Sequence, residues 1–247
     1  MDEMSRLPEP PQLSALMRDG SVALFLDFDG TLVELAATPD AISVPRNMPT
    51  KLRALSQALD WRLALVSGRS ITDLGKHLGQ LGVAVAGSHG ADCRLASGQA
   101  LGQAPKGISS EARASLSGFA QKEGLDLEEK SHGAALHFRN QPEKERVAHD
   151  FASALSDKHG LAVKTGKCVV ELVESGANKG AAVHAFMDDR LFAGSVPWFI
   201  GDDITDEDGF KACQDRGGGG ILVGEREETR AGHALADVTA VYQWLGI

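Results

Sequence analysis

Two aspartates, Asp27 and Asp29, stand at the end of an apolar, β-favouring run that starts at Val22. An apolar run that ends beside a glycine, here Gly30, is typical of a buried strand. In open α/β sheets, ligands bind at the carboxyl ends of such strands. Two carboxylates this close repel each other and raise one pKa, unless a cation or a reaction employs them. Taken alone, Asp-Phe-Asp-Gly is more often a simple turn, so its meaning depends on partner residues elsewhere in the chain.

Three further loops supply such partners. Ser67 follows a second apolar run, and three aspartates, Asp202, Asp203 and Asp206, follow a run that ends at Ile200. Lys179 is predicted to lie in the first turn of a helix, because Asn178 before it is a good helix cap. A cation there is unfavourable, because the N-terminal end of the helix dipole is also positive. The arrangement is tolerable when an anion lies against both the lysine and the helix N-terminus. Helix N-termini bind phosphate for the same reason. Parallel strands would bring all these residues to one sheet edge.

The combined residue types fit phosphoryl transfer. The carboxylates of these loops make an oxygen-rich cluster suited to Mg²⁺. Lys179 and the cation would neutralise a phosphate group, while the Ser67 hydroxyl and backbone N–H groups, including that of Gly68, would orient it. Asp27 is the candidate nucleophile, forming an aspartyl-phosphate. Asp29 is the candidate general acid for the leaving alcohol, and then the base for the attacking water.

The composition limits the partners. The chain has 247 residues and a formal net charge of −9, with an isoelectric point near 5.4. This charge argues against nucleic acid and against an anionic membrane surface, and no apolar stretch approaches the roughly 20 residues that span a bilayer. The cysteines at 93, 168 and 213 form no C-x-x-C pair, which favours neither a zinc site nor a disulfide framework. We expect a cytoplasmic protein with a small-molecule substrate; the oligomeric state is not indicated.

The order of predicted elements indicates an α/β fold with an insertion. Strand and helix signals alternate in the first third and resume at Asn178, which favours parallel strands and right-handed crossovers. The middle is predicted to be helix–hairpin–helix–hairpin, an α+β module of two similar halves. Gly217 to Gly220 is predicted to be a flexible connector. The expected divisions are a lead-in, 1–20, a core formed by 21–101 and 178–247, and an inserted domain, 102–177.

Four of these loops form a recognisable series. In sequence order they are DFDGT (27–31), SGR (67–69), Lys179 and GDDITD (201–206). They resemble the four motifs of the haloacid-dehalogenase-like (HAD) phosphatases, in order and across the whole chain. Within that superfamily the chain is most similar to the trehalose-phosphate phosphatases. The stretches that carry this similarity are LVSGR (65–69), GSHG (87–90), EEK (128–130), ALHFR (135–139), GKCVVEL (166–172), NKG (178–180) and GDDITDE (201–207).

The resemblance implies a Rossmann-like parallel-sheet HAD core with an inserted α+β cap domain over the active site. It also implies Mg²⁺-dependent hydrolysis of trehalose 6-phosphate to trehalose and phosphate, in trehalose biosynthesis. By position it makes Asp27 the nucleophile and a metal ligand, and Asp29 the acid and base, with its backbone carbonyl bound to the metal. It also makes Asp202 a metal ligand. Ser67 and Lys179 would bind the phosphate. Asp203 and Asp206 would support the metal site from behind.

The cap is expected to recognise the sugar, because hydroxyl groups need donors and acceptors in fixed directions. The candidates are Glu128, Lys130, His137, Arg139, Lys167 and Glu171. Alternation along a strand places Glu128 and Lys130 on one face of it, and Lys167 and Glu171 on one face of another strand. The same pattern also fits a merely solvated sheet face. His137 and Arg139 match the family pattern, either as sugar contacts or as a structural pair.

Two alternatives stay open at this point. One is a HAD phosphatase for another sugar phosphate, such as sucrose 6-phosphate or mannosyl-3-phosphoglycerate. The other is a phospho-receiver or regulatory module, which also uses an acidic Mg²⁺ pocket and a lysine. The presence of Asp29 two residues after Asp27 disfavours the second alternative, since a stable phosphorylated switch does not need an acid and base for turnover.

Overall fold

The computed structural model describes residues 7–36, 38, 41–102, 107–129, 133–166 and 168–247. The chain divides into two compact units. The first consists of Met1–Gln103 and Asn178–Ile247, and the second of Ala104–Ala177. No helix in the described ranges is both long and apolar enough to cross a membrane.

The first unit contains an eight-stranded sheet flanked by helices. Its strands are β1 (Val22–Leu26), β2 (Leu63–Val66), β3 (Ala84–Gly87), β4 (Asp92–Arg94), β5 (Ala100–Leu101), β10 (Val196–Gly201), β11 (Gly219–Val223) and β12 (His233–Leu235). Its helices are α1 (Leu13–Asp19), α2 (Met48–Ala58), α3 (Ile71–Leu78), α6 (Lys179–Met187), α7 (Glu207–Gln214) and α8 (Val238–Leu245). The strand order is β12-β11-β10-β1-β2-β3-β4-β5. The strands from β12 to β3 pair in parallel, and β4 and β5 complete an antiparallel edge.

Both faces of this sheet are covered by helices, so its central strands are apolar throughout. All residues of β1 are buried. Leu24 and Leu26 belong to the core on one face, together with α2 and α8 residues such as Leu52. Phe25 belongs to the core on the other face, together with Phe186 of α6. A parallel sheet buried on both sides is the expected outcome of strand–helix alternation, and the predicted Rossmann-like core is confirmed.

The parallel register fixes where the functional loops begin. β1 lies between β10 and β2, and Leu26 at its end is aligned with Ile200 and with Leu65. The backbone N–H of Asp27 still donates to the carbonyl of Ile200 at 2.9 Å. The loops that follow β1, β2 and β10 therefore start at the same edge of the sheet.

Part of the expected lead-in, 1–20, is packed on the first unit. Residues 13–19 form α1, and Leu13 is buried in the core of the first unit. Before the helix, the carbonyl of Pro11 accepts a hydrogen bond from the indole N–H of Trp244 at 2.9 Å. The carbonyl of Pro8 accepts another from the backbone N–H of Ala234 at 3.0 Å. These partners are more than 200 residues away in the chain, so local sequence patterns do not indicate them.

The prediction of a flexible connector at Gly217 to Gly220 is wrong in its second half. Gly219 and Gly220 begin β11 and are buried. A Cβ at Gly219 would lie 2.6 Å from the ring of Trp198, and one at Gly220 would lie 2.7 Å from Cβ of Phe210. Glycine is required here because aromatic side chains occupy the space, and those aromatics are distant in sequence.

The second unit has the predicted helix–hairpin–helix–hairpin order. Its elements are α4 (Ser110–Glu123), β6 (Asp126–Glu129), β7 (Gly133–His137), α5 (Glu145–His159), β8 (Leu161–Gly166) and β9 (Val169–Glu174). The strands form an antiparallel sheet with the order β6-β7-β9-β8. Leu136 and Leu172 on one face of this sheet pack with Leu116 of α4 and Ala152 of α5. The apolar residues of the module thus lie on the helix-covered face.

Candidate active site

The structure brings a buried lysine between two buried carboxylates. Lys179 is the first residue of α6, and the side chain of Asn178 caps that helix by accepting from the backbone N–H of Ala181 at 2.7 Å. The Lys179 ammonium donates to Asp27 Oδ1 at 2.7 Å and to Asp206 Oδ1 at 2.5 Å. The exposed fraction of Lys179 is 2%. Residues separated by 152 positions in the chain thus form a direct ion pair.

Three aspartates form an acidic cluster around this lysine. One carboxylate oxygen each from Asp27, Asp202 and Asp206 lie within 4.8 Å of one another. Both oxygens of Asp206 are already engaged, one by Lys179 and the other by the backbone N–H of Asp203 at 2.8 Å. Oxygens of Asp27 and Asp202 are the natural ligands for a hard divalent cation, because such cations prefer carboxylate ligands. The cluster could therefore bind a metal.

Burial and like charge shift the pKa values of these groups. Burial raises the pKa of Asp27 well above its usual value, Lys179 opposes the shift, and Asp206 adds to it. Burial, and then the charge of Asp206, raise the pKa of Asp202 to about 6. Burial lowers the pKa of Lys179, but Asp27 and Asp206 outweigh it and the net shift is upward. A cation beside these carboxylates would relieve the conflict between their charges and their burial.

Two glycines of the motifs are needed for space. Gly30 has a φ of +79°, and a Cβ there would lie 2.1 Å from Oδ2 of Asp202. A Cβ at Gly201 would lie 2.2 Å from Cγ of Asp206. The glycine after Asp29 therefore lets an acidic side chain of a neighbouring loop approach the backbone closely, and the glycine before Asp202 does the same for an acidic side chain of its own loop.

Asp29 lies outside the acidic cluster in this arrangement. Its side chain is 30% exposed, and both its oxygens accept from the guanidinium of Arg69 at 2.7 Å. Ser67 is fully buried, and its hydroxyl oxygen accepts from the backbone N–H of Arg69 at 3.1 Å. Gly68 lies against the ring of His89, which a Cβ would approach to 2.7 Å. The loops after β1 and β2 are thus joined through Arg69.

Asp203 and Asp206 have different local roles. Asp203 is the N-cap of a short 3-10 helix, Ile204–Asp206, and its carboxylate accepts from the backbone N–H of Ile204 at 2.6 Å. Asp206 is fully buried and completes a capping box with Asp203. Asp206 thereby holds the loop that carries Asp202, and it also holds the ammonium of Lys179.

Three of the six candidate cap residues share one sheet face. Glu128 of β6 and Glu171 of β9 are both registered with Ala135 of β7, so they lie in one row across the sheet. His137 is two residues after Ala135, and its Nε2 lies 3.0 Å from Oε2 of Glu128. Arg139 is exposed in the turn after β7. The candidates Lys130 and Lys167 lie outside the described residues.

Known proteins share the sequence family and the fold of this chain. The sequence model of the Trehalose-phosphatase family matches residues 25–238 of this chain. The chain belongs to the trehalose-phosphatase family. It is 38% identical over 242 residues to the trehalose-6-phosphate phosphatase of Escherichia coli K12, an alignment that covers 97% of this chain and 89% of that protein.

Solved structures show the same fold for this member of the trehalose-phosphatase family. The C-terminal domain of Candida albicans trehalose-6-phosphate phosphatase superposes with a TM-score of 0.74 at 22% identity, covering 97% of both chains. A haloacid-dehalogenase-like hydrolase from Bacteroides thetaiotaomicron superposes with a TM-score of 0.69 at 18% identity, covering 92% of this chain and 98% of that one. The predicted HAD-type fold is thereby confirmed.

Sequence reasoning missed Arg226. Its guanidinium donates to the carbonyl of Asp202 at 2.5 Å and to Glu207 Oε1 at 3.2 Å. The other oxygen of Glu207 accepts from the backbone N–H of Arg230 at 2.6 Å. These bonds tie the loop after β11 to the loop that carries Asp202. Arg226 lies 24 residues beyond Asp202 in a loop without periodicity, so no sequence signal points to it.

Gly30→Ala is expected to lower turnover by about tenfold or more and to destabilise the protein by about 1–2 kcal/mol. The added methyl group would displace the carboxylate of Asp202, in addition to straining the backbone at φ +79°. Gly98→Ala is the matched control, because Gly98 also has a positive φ, +86°, but a Cβ added there would meet nothing within 4 Å. The control should lose stability only. Equal turnover for the two variants would contradict the steric explanation.

Proposed function

We propose that this protein hydrolyses trehalose 6-phosphate to trehalose and inorganic phosphate through an aspartyl-phosphate on Asp27. The observation that carries the proposal is the arrangement of the buried Asp27 and Lys179 with the half-buried Asp202 at one sheet edge. A nucleophilic carboxylate beside a fixed cation is what phosphoryl transfer requires. Family membership supports the substrate, because the E. coli relative is a trehalose-6-phosphate phosphatase.

The first step transfers the phosphoryl group to the protein. A carboxylate oxygen of Asp27 attacks phosphorus, the bond from phosphorus to the sugar oxygen breaks, and that oxygen takes a proton from Asp29. Lys179 holds its charge 2.7 Å from Asp27, beside the group that receives the phosphate. Ser67, with the backbone N–H of Gly68, is proposed to orient the phosphate oxygens.

The second step releases phosphate. A water molecule attacks phosphorus and gives a proton to Asp29, while the bond from phosphorus to the Asp27 oxygen breaks. Asp27 returns as a carboxylate and Asp29 as an acid, so the two steps together consume one water molecule. This cycle distinguishes the enzyme from a phospho-receiver module, because Asp29 serves both steps.

Mg²⁺ is the proposed cofactor. Asp27 and Asp202 would hold it through carboxylate oxygens and Asp29 through its backbone carbonyl, while Asp203 and Asp206 support the site from behind. The oxygen-only donor set and the raised pKa values of Asp27 and Asp202 fit such an ion. When bound, Mg²⁺ supplies positive charge that neutralises the transferring phosphate.

Mg²⁺ is expected to raise the thermal unfolding midpoint more at about pH 7.5 than at about pH 5, because metal ligands must be deprotonated. The pKa of Asp202 rises from 3.8 to about 6. Its contribution to stability without metal is therefore greatest below its unfolded pKa and is lost as pH rises through about 6. Mg²⁺ should offset that loss. Equal shifts at the two pH values, or the same shifts in Asp202→Asn, would contradict the assignment.

The face of the second unit that carries Glu128, His137 and Glu171 is proposed to recognise the sugar. Glu128 and His137 are hydrogen-bonded to each other and partly exposed, with 52% and 39% of their side chains accessible. Such a pair offers a donor and an acceptor in fixed relative positions, as hydroxyl recognition requires. Lys130, Arg139 and Lys167 are proposed to belong to the same substrate-binding set.

Glu128→Ala is expected to lower kcat/KM for trehalose 6-phosphate by about tenfold or more, the usual loss when a hydrogen bond to a charged group is removed. Turnover of 4-nitrophenyl phosphate should stay near the wild-type value, because that substrate has no sugar. Glu129→Ala is the matched control: Glu129 follows directly on the opposite face of β6 and pairs with Arg113 at 2.7 Å. Equal losses on both substrates would remove Glu128 from sugar recognition.

Phosphate release from a panel of sugar phosphates, with and without Mg²⁺, tests the proposed function. Trehalose 6-phosphate should be turned over fastest, and chelation should stop release. A preference for sucrose 6-phosphate or mannosyl-3-phosphoglycerate would reassign the substrate within the same chemistry. A long-lived phosphoprotein without release would identify a receiver module instead. A cytoplasmic location stays a prediction.

A further inference from the structure

Arg69 belongs to the Ser67-Gly68-Arg69 motif, yet the reaction above gives it no role. Its guanidinium forms a bidentate pair with Asp29: Nε lies 2.7 Å from Oδ2 and Nη2 lies 2.7 Å from Oδ1. The side chain of Arg69 is only 9% exposed. A partly buried fork of this kind fixes the plane of the carboxylate as well as its position.

The arginine is itself held from several directions. Its Nη1 donates to Asp73 at 2.8 Å and lies 3.4 Å from Nε2 of His77, both on α3. Its guanidinium carbon lies 5.8 Å from the centre of the Phe28 ring. Its backbone N–H donates to the hydroxyl of Ser67 at 3.1 Å. These contacts make Arg69 a rigid support for whatever its fork binds.

A carboxylate that exchanges protons with a leaving group needs a fixed orientation, since misplacement by about 1 Å can cost about 100-fold in rate. The side chain of Asp29 is 30% exposed, so packing alone does not determine its rotamer. Each carboxylate oxygen has two lone pairs. The fork of Arg69 occupies one lone pair on each oxygen. A remaining lone pair can bind the proton that Asp29 then gives to the leaving oxygen, or can accept one from the attacking water.

We propose that Arg69 is a positioning residue that orients the carboxylate of Asp29 for proton exchange with the leaving sugar oxygen. The proposal rests on the proposed function, in which the bond from phosphorus to the sugar oxygen breaks as that oxygen takes the proton of Asp29. Arg69 touches neither the phosphate nor the sugar in this step. It acts through Asp29, and its loss should therefore slow the first step only for substrates that need a proton on the leaving group, whereas the second step is common to all substrates.

The test compares kcat/KM for two substrates, because this quantity covers the steps up to departure of the leaving group. The leaving group of trehalose 6-phosphate is a sugar alcohol, whose oxygen needs a proton. The leaving group of 4-nitrophenyl phosphate is 4-nitrophenolate, which is stable as an anion. Arg69→Gln is expected to lose about 100-fold on the sugar phosphate, the usual contribution of a general acid, and less than about threefold on the aryl phosphate. Arg69→Lys keeps the charge without the fork and should show the same selective loss.

Arg94→Gln is the matched control. Arg94 on β4 forms a fork of the same kind with Asp92, at 2.9 and 3.0 Å, and its removal should leave both substrates unchanged. A second measurement is rescue of Arg69→Ala by free guanidinium ion, which should raise kcat/KM for the sugar phosphate and not for the aryl phosphate.

Equal losses on both substrates, or full activity of Arg69→Lys on the sugar phosphate, would overturn the positioning role while leaving the proposed function intact. A wild-type protein that releases phosphate from neither substrate would reject the proposed function, and this inference with it. The two failures are therefore distinguishable in a single set of assays.

Discussion

Asp27→Asn is expected to fold like the wild-type protein and to lose turnover by roughly 10⁴-fold or more, as nucleophile variants do. The amide of asparagine does not attack phosphorus, so no covalent intermediate forms. The fold should tolerate the change because burial, together with the charges of Asp206 and Asp202, raises the pKa of Asp27 despite the opposing effect of Lys179. A raised pKa means that the folded state disfavours the charged carboxylate, and the neutral isostere removes that conflict.

Two measurements check this expectation. Phosphate release and the thermal unfolding midpoint should separate, with release lost and the midpoint equal or higher. Acid quenching with ³²P-labelled substrate should trap label on the wild-type protein and none on the variant. Asp60→Asn is the control, since the side chain of Asp60 is 79% exposed and pairs only locally with Arg62. Residual turnover above about 1% of wild type would be too high for a missing nucleophile.

Much of the fold could be predicted from the sequence because its elements are local and periodic. Apolar runs such as Val22–Leu26 and cap signals such as Asn178 indicate strands and helix starts without any tertiary information. The parallel sheet then places the loops after β1, β2 and β10 at one edge, which is why residues as distant as Asp27 and Lys179 could be expected to meet. The catalytic, metal-binding, phosphate-binding and substrate-binding roles assigned to individual residues stay predictions.

The remaining features depend on side-chain pairs that leave no periodic signal. The fork between Arg69 and Asp29 spans 40 positions of the chain, and nothing in Ser-Gly-Arg indicates its partner. The same holds for Gly219 and Gly220, where glycine is needed because Trp198 and Phe210 occupy the space that a Cβ would fill. The family resemblance assigns Asp206 a supporting role behind the metal site, but its contact with Lys179 is visible only when both loops are placed together.

Lys179→Met is expected to destabilise the protein by about 3–5 kcal/mol, the usual cost of removing one partner from a buried ion pair, and to abolish turnover. The ammonium is shared by Asp27 and Asp206 at 2.7 and 2.5 Å. Without it, two carboxylates remain buried side by side, and at least one must take up a proton. Their pKa values would rise above those already raised in the wild-type protein.

The sign of the pH dependence separates this explanation from a simple loss of packing. A carboxyl group with a raised pKa stabilises the fold at low pH and loses that contribution as pH rises through the folded-state value. The gap in unfolding free energy between wild type and Lys179→Met should therefore widen from about pH 4 to pH 7. Lys211→Met removes an exposed lysine of α7 that pairs with Asp215, and exposed pairs contribute little, so this control should stay close to wild type. A gap independent of pH would indicate that Lys179 serves packing alone, because charge repulsion between Asp27 and Asp206 would then play no part.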